Sequence, residues 1–277
     1  MYILSKFQAK VFLLERKEFS VSLDLGLTKT KIQFVDGFFI FPDGQKITID
    51  HIKKIIKKDT SCFSIENNDI IKLSLFSDDT NKYYKLMPTG IDTPPTLEIS
   101  GIRMHVTKSM SAEEDTKKKI SFVEPCFGYV LDTCTGLGYT AILASHTARQ
   151  VFTYEIDENC VEVQKINPWS KELFNNPKIK MNIGDIFLEI KKLKNNFFDR
   201  IIHDPPRLTF ATVLYSQGFY DELFRVLKHK GKIYHYTGHP GSKNRGVHLQ
   251  DNVLKRMQRS GFKNLKKVFN GVSGEKI

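Results

Sequence analysis

The pattern of apolar and polar positions changes along the chain near residue 128. After that point, short apolar runs alternate with segments whose apolar residues recur at helical spacing. Strands that alternate with helices at this spacing indicate a parallel sheet covered on both faces. The pattern therefore predicts an α/β domain with a doubly wound, mostly parallel sheet. Its strands are predicted at residues 129–132, 151–155, 178–183, 200–203 and 232–236, and its helices at residues 140–148, from 158, 218–228 and 247–259.

The first hundred residues follow a different pattern, in which short alternating segments are separated by turns. Residues 19–25 and 31–35 alternate apolar and polar side chains, and Asp36-Gly37 is typical of a hairpin turn. This half has no regular alternation of strands and helices, and a proline-rich connector follows it at residues 87–96. The sequence predicts a smaller β-rich N-terminal domain over residues 1–110 and a Rossmann-like domain over residues 111–277.

The charge balance is strongly basic, since 42 lysines and arginines oppose 31 aspartates and glutamates and give a net charge of +11. This balance favours a polyanionic partner such as RNA or DNA, although a solvated, lysine-rich surface has the same composition. Hydrophobic residues at 40% and charged residues at 26% exclude a disordered or fibrous chain. No apolar run approaches the roughly 18 residues of a membrane span, and the apolar start is too short for a secretory signal. The four cysteines form no C-x-x-C pair, so we expect no metal site. A chain of this length does not need disulfides, and reduced thiols fit the cytoplasm, where we expect the protein.

The loop after the first strand of the second domain carries the most chemical information. In a doubly wound sheet, ligands bind beyond the carboxyl ends of the strands. Here Asp132 ends the strand, and Gly136 and Gly138 follow it in a loop of small residues that leaves room for a close ligand. Glu155 ends the second strand, where a carboxylate can accept both hydroxyl hydrogens of a ribose. The alternative is that the glycines serve only the packing of helix against strand.

This arrangement resembles the class I S-adenosylmethionine-dependent methyltransferases, whose first motif is an acidic residue followed by G-x-G. The resemblance implies that Glu155 binds the ribose of S-adenosyl-L-methionine and that Asp185, after the third strand, contacts its adenine. Asp185 also suits the N-cap of the next helix, and the two roles are compatible. The expected cofactor-binding residues are Asp132, Thr133, Gly136, Gly138, Glu155, Ile156 and Asp185.

A second motif ends the fourth strand, where the chain reads His-Asp-Pro-Pro-Arg over residues 203–207. It resembles the (Asn/Asp)-Pro-Pro-aromatic motif of methyltransferases that modify amino groups or bases, in which the acid and the following carbonyl hold the acceptor nitrogen. Arg207 departs from that motif, which has an aromatic ring there. Together with residues 97–105, 132–139, 167–170 and 236–243, the segment resembles a family of predicted archaeal methyltransferases with a D-P-P-R motif. The alternative is a turn stiffened by prolines. The expected catalytic residues are His203, Asp204, Pro205, Pro206 and Arg207.

The leading hypothesis is an S-adenosylmethionine-dependent methyltransferase that acts on a nucleic acid, with RNA favoured. The alternative is an aminopropyltransferase, because a small β domain before such a sheet resembles the spermidine-synthase architecture and residues 214–227 resemble that family. Two features oppose the alternative: the first loop lacks the G-G-G-(Asp/Glu)-G pattern, and Arg207 would repel a polycationic amine. A third hypothesis is a non-catalytic nucleic-acid-binding protein. His235, His239 and the basic segment 241–246 are further candidates for proton transfer and phosphate binding.

Overall fold

The computed structural model describes residues 1–15, 17–238 and 249–277. They divide into two compact units, Met1–Asp115 with Glu162–Trp169, and Thr116–Val161 with Ser170–Ile277. The predicted boundary at residue 110 lies shortly before the end of the first segment, and the inclusion of residues 162–169 in the first unit was not predicted. Among the described residues, no helix combines the length and the apolar character that a membrane crossing requires.

Short strands outnumber helices among the described elements of the first unit, as its sequence pattern predicts. Its elements in chain order, up to the unit boundary inside the last of them, are β1 Tyr2–Leu4, α1 Lys6–Leu14, β2 Glu18–Val21, β3 Thr30–Val35, β4 Phe38–Ile40, β5 Lys46–Thr48, α2 Ile49–Lys57, β6 Phe63–Glu66, β7 Asp69–Lys72, β8 Ser74–Ser77, β9 Lys82–Met87, β10 Thr96–Ile99, β11 Ile102–Arg103 and α3 Ala112–Ile120. The strands pair in the orders β1-β6-β7, β2-β3-β4-β5 and β8-β9-β10-β11. All of these pairs are antiparallel.

Helix α1 was not predicted, because a polar residue takes one of its core positions. Gln8 is buried, which breaks the apolar spacing of the helix. Its side chain closes a capping box in which the Ser5 backbone N–H donates to Gln8 Oε1 at 3.2 Å. Phe12, on the same helix, packs edge-on against the rings of Phe19 and Phe39 at 5.2 and 5.0 Å between centroids. The helix therefore supplies the centre of the core of this unit.

The apolar residues of segments 70–76 and 97–104 predict one strand in each, but the structure divides each segment in two. Residues 70–76 form the end of β7 and most of β8, and residues 97–104 contain the hairpin of β10 and β11. In that hairpin Ser100 and Gly101 have φ angles of 45° and 83°, which turn the chain back on itself. In residues 70–76 the apolar positions 71, 73 and 75 alternate across the break, so periodicity does not reveal it, whereas in residues 97–104 the phase of the alternation changes at the turn.

The second unit contains the predicted alternation of strands and helices. From residue 129 onward the elements are β12 Tyr129–Asp132, α4 Tyr139–Ser145, β13 Gln150–Glu155, α5 Glu158–Ile166, α6 Lys171–Asn175, β14 Ile179–Ile183, α7 Ile186–Glu189, β15 Phe198–His203, α8 Gln217–Val226, β16 Leu227–Tyr236, α9 Leu249–Ser260, β17 Lys263–Val268 and β18 Gly271–Glu275. The strands form one sheet in the order β14-β13-β12-β15-β16-β18-β17. The pairs from β14 to β16 are parallel, and β18 and β17 add an antiparallel edge that the sequence did not predict.

Apolar side chains cover both faces of this sheet, which confirms the predicted doubly wound fold. In β12, Val130 packs into one buried cluster and Leu131 into another. In β15, Ile201 and Ile202 divide between the same two clusters. Since successive side chains of a strand point to opposite faces, the two clusters lie on opposite sides of the sheet. This double burial explains why the strands are apolar runs in the sequence.

Candidate active site

The carboxyl ends of β12 and β15 meet at the point where the strand order of the sheet reverses. From β12 the chain continues to its neighbour β13 on one side, and β15 and β16 lie on the other side. The Thr133 backbone N–H donates to the Ile202 carbonyl at 3.0 Å, so the end of β12 lies beside the end of β15. Such a reversal leaves a crevice in which ligands bind. The two motifs that the sequence analysis singled out therefore lie next to each other.

The glycine loop combines one glycine that serves packing with one that borders open space. Gly136 and Gly138 have φ angles of 55° and 81°, a region that favours glycine. A Cβ on Gly138 would lie 2.9 Å from the Leu173 side chain, whereas a Cβ on Gly136 would meet no atom within 4 Å. Gly138 thus has the packing role that the alternative interpretation gave to both glycines. Gly136 leaves space at the carboxyl edge that a ligand can occupy.

Glu155 is held beside this space by two backbone N–H groups. Gly136 donates to Glu155 Oε2 at 2.9 Å, and Asp157 donates to Oε1 at 3.0 Å. The residue is 8% exposed, and this burial raises the pKa of Glu155 to about 7. Each carboxylate oxygen keeps further acceptor capacity beyond its backbone bond. The geometry fits the predicted acceptor of two ribose hydroxyls.

Asp132 is fully buried and contacts two threonine hydroxyls. Thr140 Oγ1 donates to Asp132 Oδ1 at 3.1 Å, and Thr153 Oγ1 donates to Oδ2 at 2.7 Å. Thr153 is also 2.7 Å from Thr135 Oγ1, so the network ties the glycine loop to β13. Burial raises the pKa of Asp132 to about 7. Asp132 therefore stabilises the loop from within. Its contact with the cofactor stays a prediction.

Because the pKa of Asp132 is raised in the folded protein, we expect the free energy of unfolding to fall as the pH rises from about 4 to 7. The folded protein keeps a proton there that the unfolded chain, with an ordinary pKa near 3.9, has released. The variant Asp132→Asn should reduce this slope by up to about 1.4 kcal/mol per pH unit. Denaturant unfolding at pH 4.5, 5.5 and 6.5 measures it. A slope equal to that of the original protein would contradict the assignment.

The other predicted cofactor residues lie at the ends of β13 and β14. The Gly184 backbone N–H donates to the Glu155 carbonyl at 2.8 Å, which joins the two strand ends. Asp185 follows and caps α7, since its Oδ1 accepts the Phe187 N–H at 2.9 Å. Ile156 is 65% exposed beside Glu155. The expected N-cap role of Asp185 is therefore present, and the exposed side chain of Ile156 offers an apolar surface next to Glu155.

Asp204 forms an ion pair with a lysine that the sequence analysis did not identify. Lys119 Nζ lies 2.7 Å from Asp204 Oδ2, and the two side chains are 1% and 18% exposed. The same ammonium lies 4.5 Å from the centre of the Tyr236 ring, in cation–π contact. Lys119 belongs to a run of three lysines that looks like a solvated helix face. The signal that it is buried is its spacing from Thr116 and Ile120, which are buried on the same helix.

His203 points into the core, although the sequence predicts it as a catalytic residue beside the acceptor. Its Nε2 donates to the Leu214 carbonyl at 3.1 Å, so in the neutral ring Nδ1 accepts from the Thr133 hydroxyl at 2.7 Å. Burial lowers the pKa of His203 to about 3, which keeps the ring neutral at ordinary pH. The side chain instead fixes the segment around Leu214 against the end of β12.

The proline segment is held by a buried tyrosine. Pro205 is buried, and the carbonyl of exposed Pro206 accepts the Tyr215 hydroxyl at 3.0 Å. Burial raises the pKa of Tyr215 far above its usual value, so the hydroxyl remains a donor. Arg207 is exposed. The segment is thus a stiff turn that leaves Asp204 at its base and a cation at its tip.

His235 does not add a proton-transfer group to this edge. His235 is fully buried, its Nδ1 donates to the His203 carbonyl at 3.3 Å, and its Nε2 accepts the Tyr220 hydroxyl at 3.0 Å. Burial lowers the pKa of His235 well below its usual range. His239 and the basic segment 241–246 lie outside the described residues.

The reversed strand order, with the glycine loop and Glu155 at its carboxyl edge, is that of the class I methyltransferase-like fold. Residues 130–270 match the spermine/spermidine synthase domain. The chain belongs to the spermine/spermidine synthase domain family. It is also similar to an uncharacterized protein of Methanocaldococcus jannaschii, with 43% identity over 272 residues that cover 96% of this chain and 92% of that protein.

Other similarities agree with this family. The polyamine aminopropyltransferase of Prochlorococcus marinus strain AS9601 is 30% identical over 109 residues, which cover 38% of this chain and 37% of that protein. A spermidine synthase in complex with the transition-state analogue AdoDATO superposes with a TM-score of 0.59 at 18% identity, covering 78% of this chain and 80% of that one. The spermidine synthase of Thermotoga maritima gives a TM-score of 0.55 at 18% identity, covering 76% and 77%. At this identity, the structures establish the shared fold alone.

The family match overturns the prediction that the protein methylates a nucleic acid. Neither the glycine loop nor Glu155 at the end of β13 distinguishes which group of a donor would be transferred. The resemblance to predicted archaeal methyltransferases with a D-P-P-R motif rested on residues 203–207 together with other short segments, and that family is not shown. What stands of the cofactor prediction is a donor related to S-adenosylmethionine.

Proposed function

We propose that this protein transfers an aminopropyl group from decarboxylated S-adenosylmethionine to an amine. The observation that carries the proposal is the match of residues 130–270 to the spermine/spermidine synthase domain, since this range contains the whole edge from Asp132 to Tyr215. The similarity to polyamine aminopropyltransferases supports the same reaction. The transferred group is then an aminopropyl group in place of a methyl group. The expected contacts to the nucleoside of the donor stay the same.

The residues of the nucleoside end fit such a donor. Open space at Gly136 lies next to the carboxylate of Glu155, whose two oxygens are oriented by backbone N–H groups. A ribose presents two neighbouring hydroxyl donors, which this carboxylate can accept together. Ile156 and the capping residue Asp185 lie at the two strand ends beside it. No G-G-G-(Asp/Glu)-G pattern is needed for these contacts, because the loop approaches Glu155 through the backbone of Gly136.

Asp204 fits the role of proton acceptor for the attacking amine. The donor supplies an electrophilic methylene carbon bonded to a sulfonium. The amine nitrogen forms a bond to this carbon, the carbon–sulfur bond breaks, and its electron pair stays on sulfur in the product 5′-methylthioadenosine. One proton must leave the nitrogen, and a carboxylate at the acceptor side can take it. Asp204 lies at the end of β15, beside the end of β12 and its glycine loop, and is partly exposed.

The test is a direct assay with purified protein, decarboxylated S-adenosylmethionine and a panel of amines that includes 1-aminobutane and 1,4-diaminobutane. The expected result is 5′-methylthioadenosine in equal amount to the aminopropylated amine, measured by mass spectrometry. A parallel reaction with intact S-adenosylmethionine serves as the control for donor selectivity and should yield less product. Absence of 5′-methylthioadenosine with every amine would overturn the proposal.

A further inference from the structure

The segment that follows Asp204, residues 205–214, is shaped by hydrogen bonds between its own residues. These bonds, of 2.8, 3.0 and 3.1 Å, join the Phe210 N–H to the Arg207 carbonyl, the Leu214 N–H to the Ala211 carbonyl and the Thr212 hydroxyl to the Leu208 carbonyl. They fix the shape of the segment but not its position relative to the sheet. Leu208 and Ala211 pack against the core, and apolar contacts of this kind have no preferred direction.

The position of this segment depends on two side chains that bind carbonyl groups at its end. His203 Nε2 donates to the Leu214 carbonyl at 3.1 Å, and the guanidinium of Arg256 donates to the carbonyl of the next residue, Tyr215. The Tyr215 hydroxyl in turn donates to the Pro206 carbonyl at 3.0 Å, which closes the segment on itself. Arg256 therefore connects the segment to α9, and His203 connects it to the end of β15.

The same histidine ring contacts the glycine loop on its other side. Thr133 Oγ1 donates to His203 Nδ1 at 2.7 Å, and Thr133 is fully buried. Thr133 directly follows Asp132, at the start of the loop that contains Gly136. One neutral imidazole thus joins the glycine loop, on the donor side, to the segment that follows Asp204, on the acceptor side.

Aromatic neighbours fix the orientation of the His203 ring. Its centre lies 4.3 Å from the centre of the His235 ring and 5.2 Å from that of the Phe219 ring. An apolar side chain would fill this core position without a polar atom to satisfy, whereas a buried imidazole costs free energy unless its nitrogens are bonded. Packing therefore does not require a histidine here. What the histidine adds is the rigid connection between the two loops.

We propose that His203 is a positioning residue of the transfer reaction, which holds the segment 205–214 at a set distance from the glycine loop so that amine and donor meet in line. This inference rests on the proposed aminopropyl transfer and assigns a further residue to it. Because His203 is fully buried, it acts through Thr133 and Leu214. A displacement of reacting groups by about 1 Å can lower a rate by about a hundredfold.

The test compares the variant His203→Phe with the control Tyr220→Phe. Phenylalanine keeps an aromatic ring in the core and removes both hydrogen bonds of His203. With decarboxylated S-adenosylmethionine and 1,4-diaminobutane, we expect kcat to fall by about ten- to a hundredfold, while the affinity for 5′-methylthioadenosine stays within about threefold. Tyr220→Phe removes a buried hydroxyl of the same cluster, which donates to His235 at 3.0 Å, and should change kcat by less than about twofold.

Conservative variants separate the hydrogen bonds from the packing. His203→Gln has an amide that can donate to the Leu214 carbonyl, so it should retain more of kcat than His203→Phe. Thr133→Val removes only the bond to Nδ1 and provides a second test if His203→Phe does not fold. It should lower kcat by about threefold or more, and Thr133→Ser, which keeps the hydroxyl, should restore it.

Amide hydrogen exchange gives a measurement that needs no turnover. The N–H groups of Phe210 and Leu214 should exchange about tenfold faster in His203→Phe than in the original protein or in Tyr220→Phe, because the segment has lost its connection to β15. An unchanged kcat in His203→Phe, or a fall that Tyr220→Phe shares, would overturn the inference, as would unchanged exchange. Lack of turnover by the original protein would count against aminopropyl transfer, and the exchange rates would still decide whether His203 holds the segment.

Discussion

The variant Asp204→Asn is expected to lower the turnover of decarboxylated S-adenosylmethionine and amine by about a hundredfold or more, the contribution of a positioned general base. Asparagine keeps the size of the side chain and an oxygen that can accept from Lys119, so the end of β15 should retain its shape. It loses the capacity to take the proton of the attacking amine. Steady-state kinetics at saturating donor measures the change, and the affinity for 5′-methylthioadenosine should stay within about twofold, because Asp204 is on the acceptor side.

The matched control for this variant is Asp199→Asn on the same strand. Asp199 also pairs with a lysine, Lys228, at 2.8 Å, but it lies near the start of β15 and away from the carboxyl edge. The control therefore makes the same change in charge and breaks a similar ion pair. If Asp204→Asn were as active as Asp199→Asn, Asp204 would not be the proton acceptor. A parallel loss in both variants would point to the stability of the sheet.

The nucleoside end of the site could be predicted from the sequence because it depends on local signals. Gly136 and Glu155 each follow a strand that is buried on both faces, and such strands are visible as apolar runs. Parallel strands bring their carboxyl ends to one edge, so two residues that are 19 positions apart come into contact. The prediction needed only the strand positions and the residue types at their ends.

The position of each side chain on the acceptor side depends on the direction in which it points from its strand. The predicted catalytic residues did not take that direction into account. His203 follows Ile201 by two positions, so strand alternation places both on the same face of β15. Ile201 belongs to the core, and the His203 ring accordingly lies 5.2 Å from the Phe219 ring. The side-chain period of the strand thus indicates a buried histidine, whereas the D-P-P motif suggested a catalytic one.

Lys119 shows that net charge does not measure how much positive charge a protein presents to a partner. A lysine run adds to the net charge of +11 in the same way whether its members are solvated or buried. Lys119 is fully buried and paired with a carboxylate across 85 residues of sequence, so its charge is compensated inside the site. No pattern within α3 specifies this distant partner. The inference from net charge to a nucleic acid counted this lysine as free surface charge.

The variant Glu155→Ala is expected to weaken the binding of adenosine by more than about 1.5 kcal/mol, the loss of hydrogen bonds to a charged group, or more than tenfold in affinity. The reason is that both ribose hydroxyls lose one common acceptor, the carboxylate that Gly136 and Asp157 hold in place. Calorimetry with adenosine and 2′-deoxyadenosine separates this effect from a change of shape. The original protein should prefer adenosine, and Glu155→Ala should bind the two ligands about equally.

The pH dependence of binding provides an independent test of the same contact. The pKa of Glu155 is raised to about 7, so the carboxylate is protonated in a large part of the unliganded protein below that pH. A protonated carboxyl has one oxygen that donates and accepts two hydroxyl hydrogens less well. The affinity for adenosine should therefore rise as pH increases through 7, while the affinity for 2′-deoxyadenosine rises less. Equal discrimination between the two ligands by Glu155→Ala and by the original protein would remove Glu155 from the ribose site, and the open space beside Gly136 would then need another occupant.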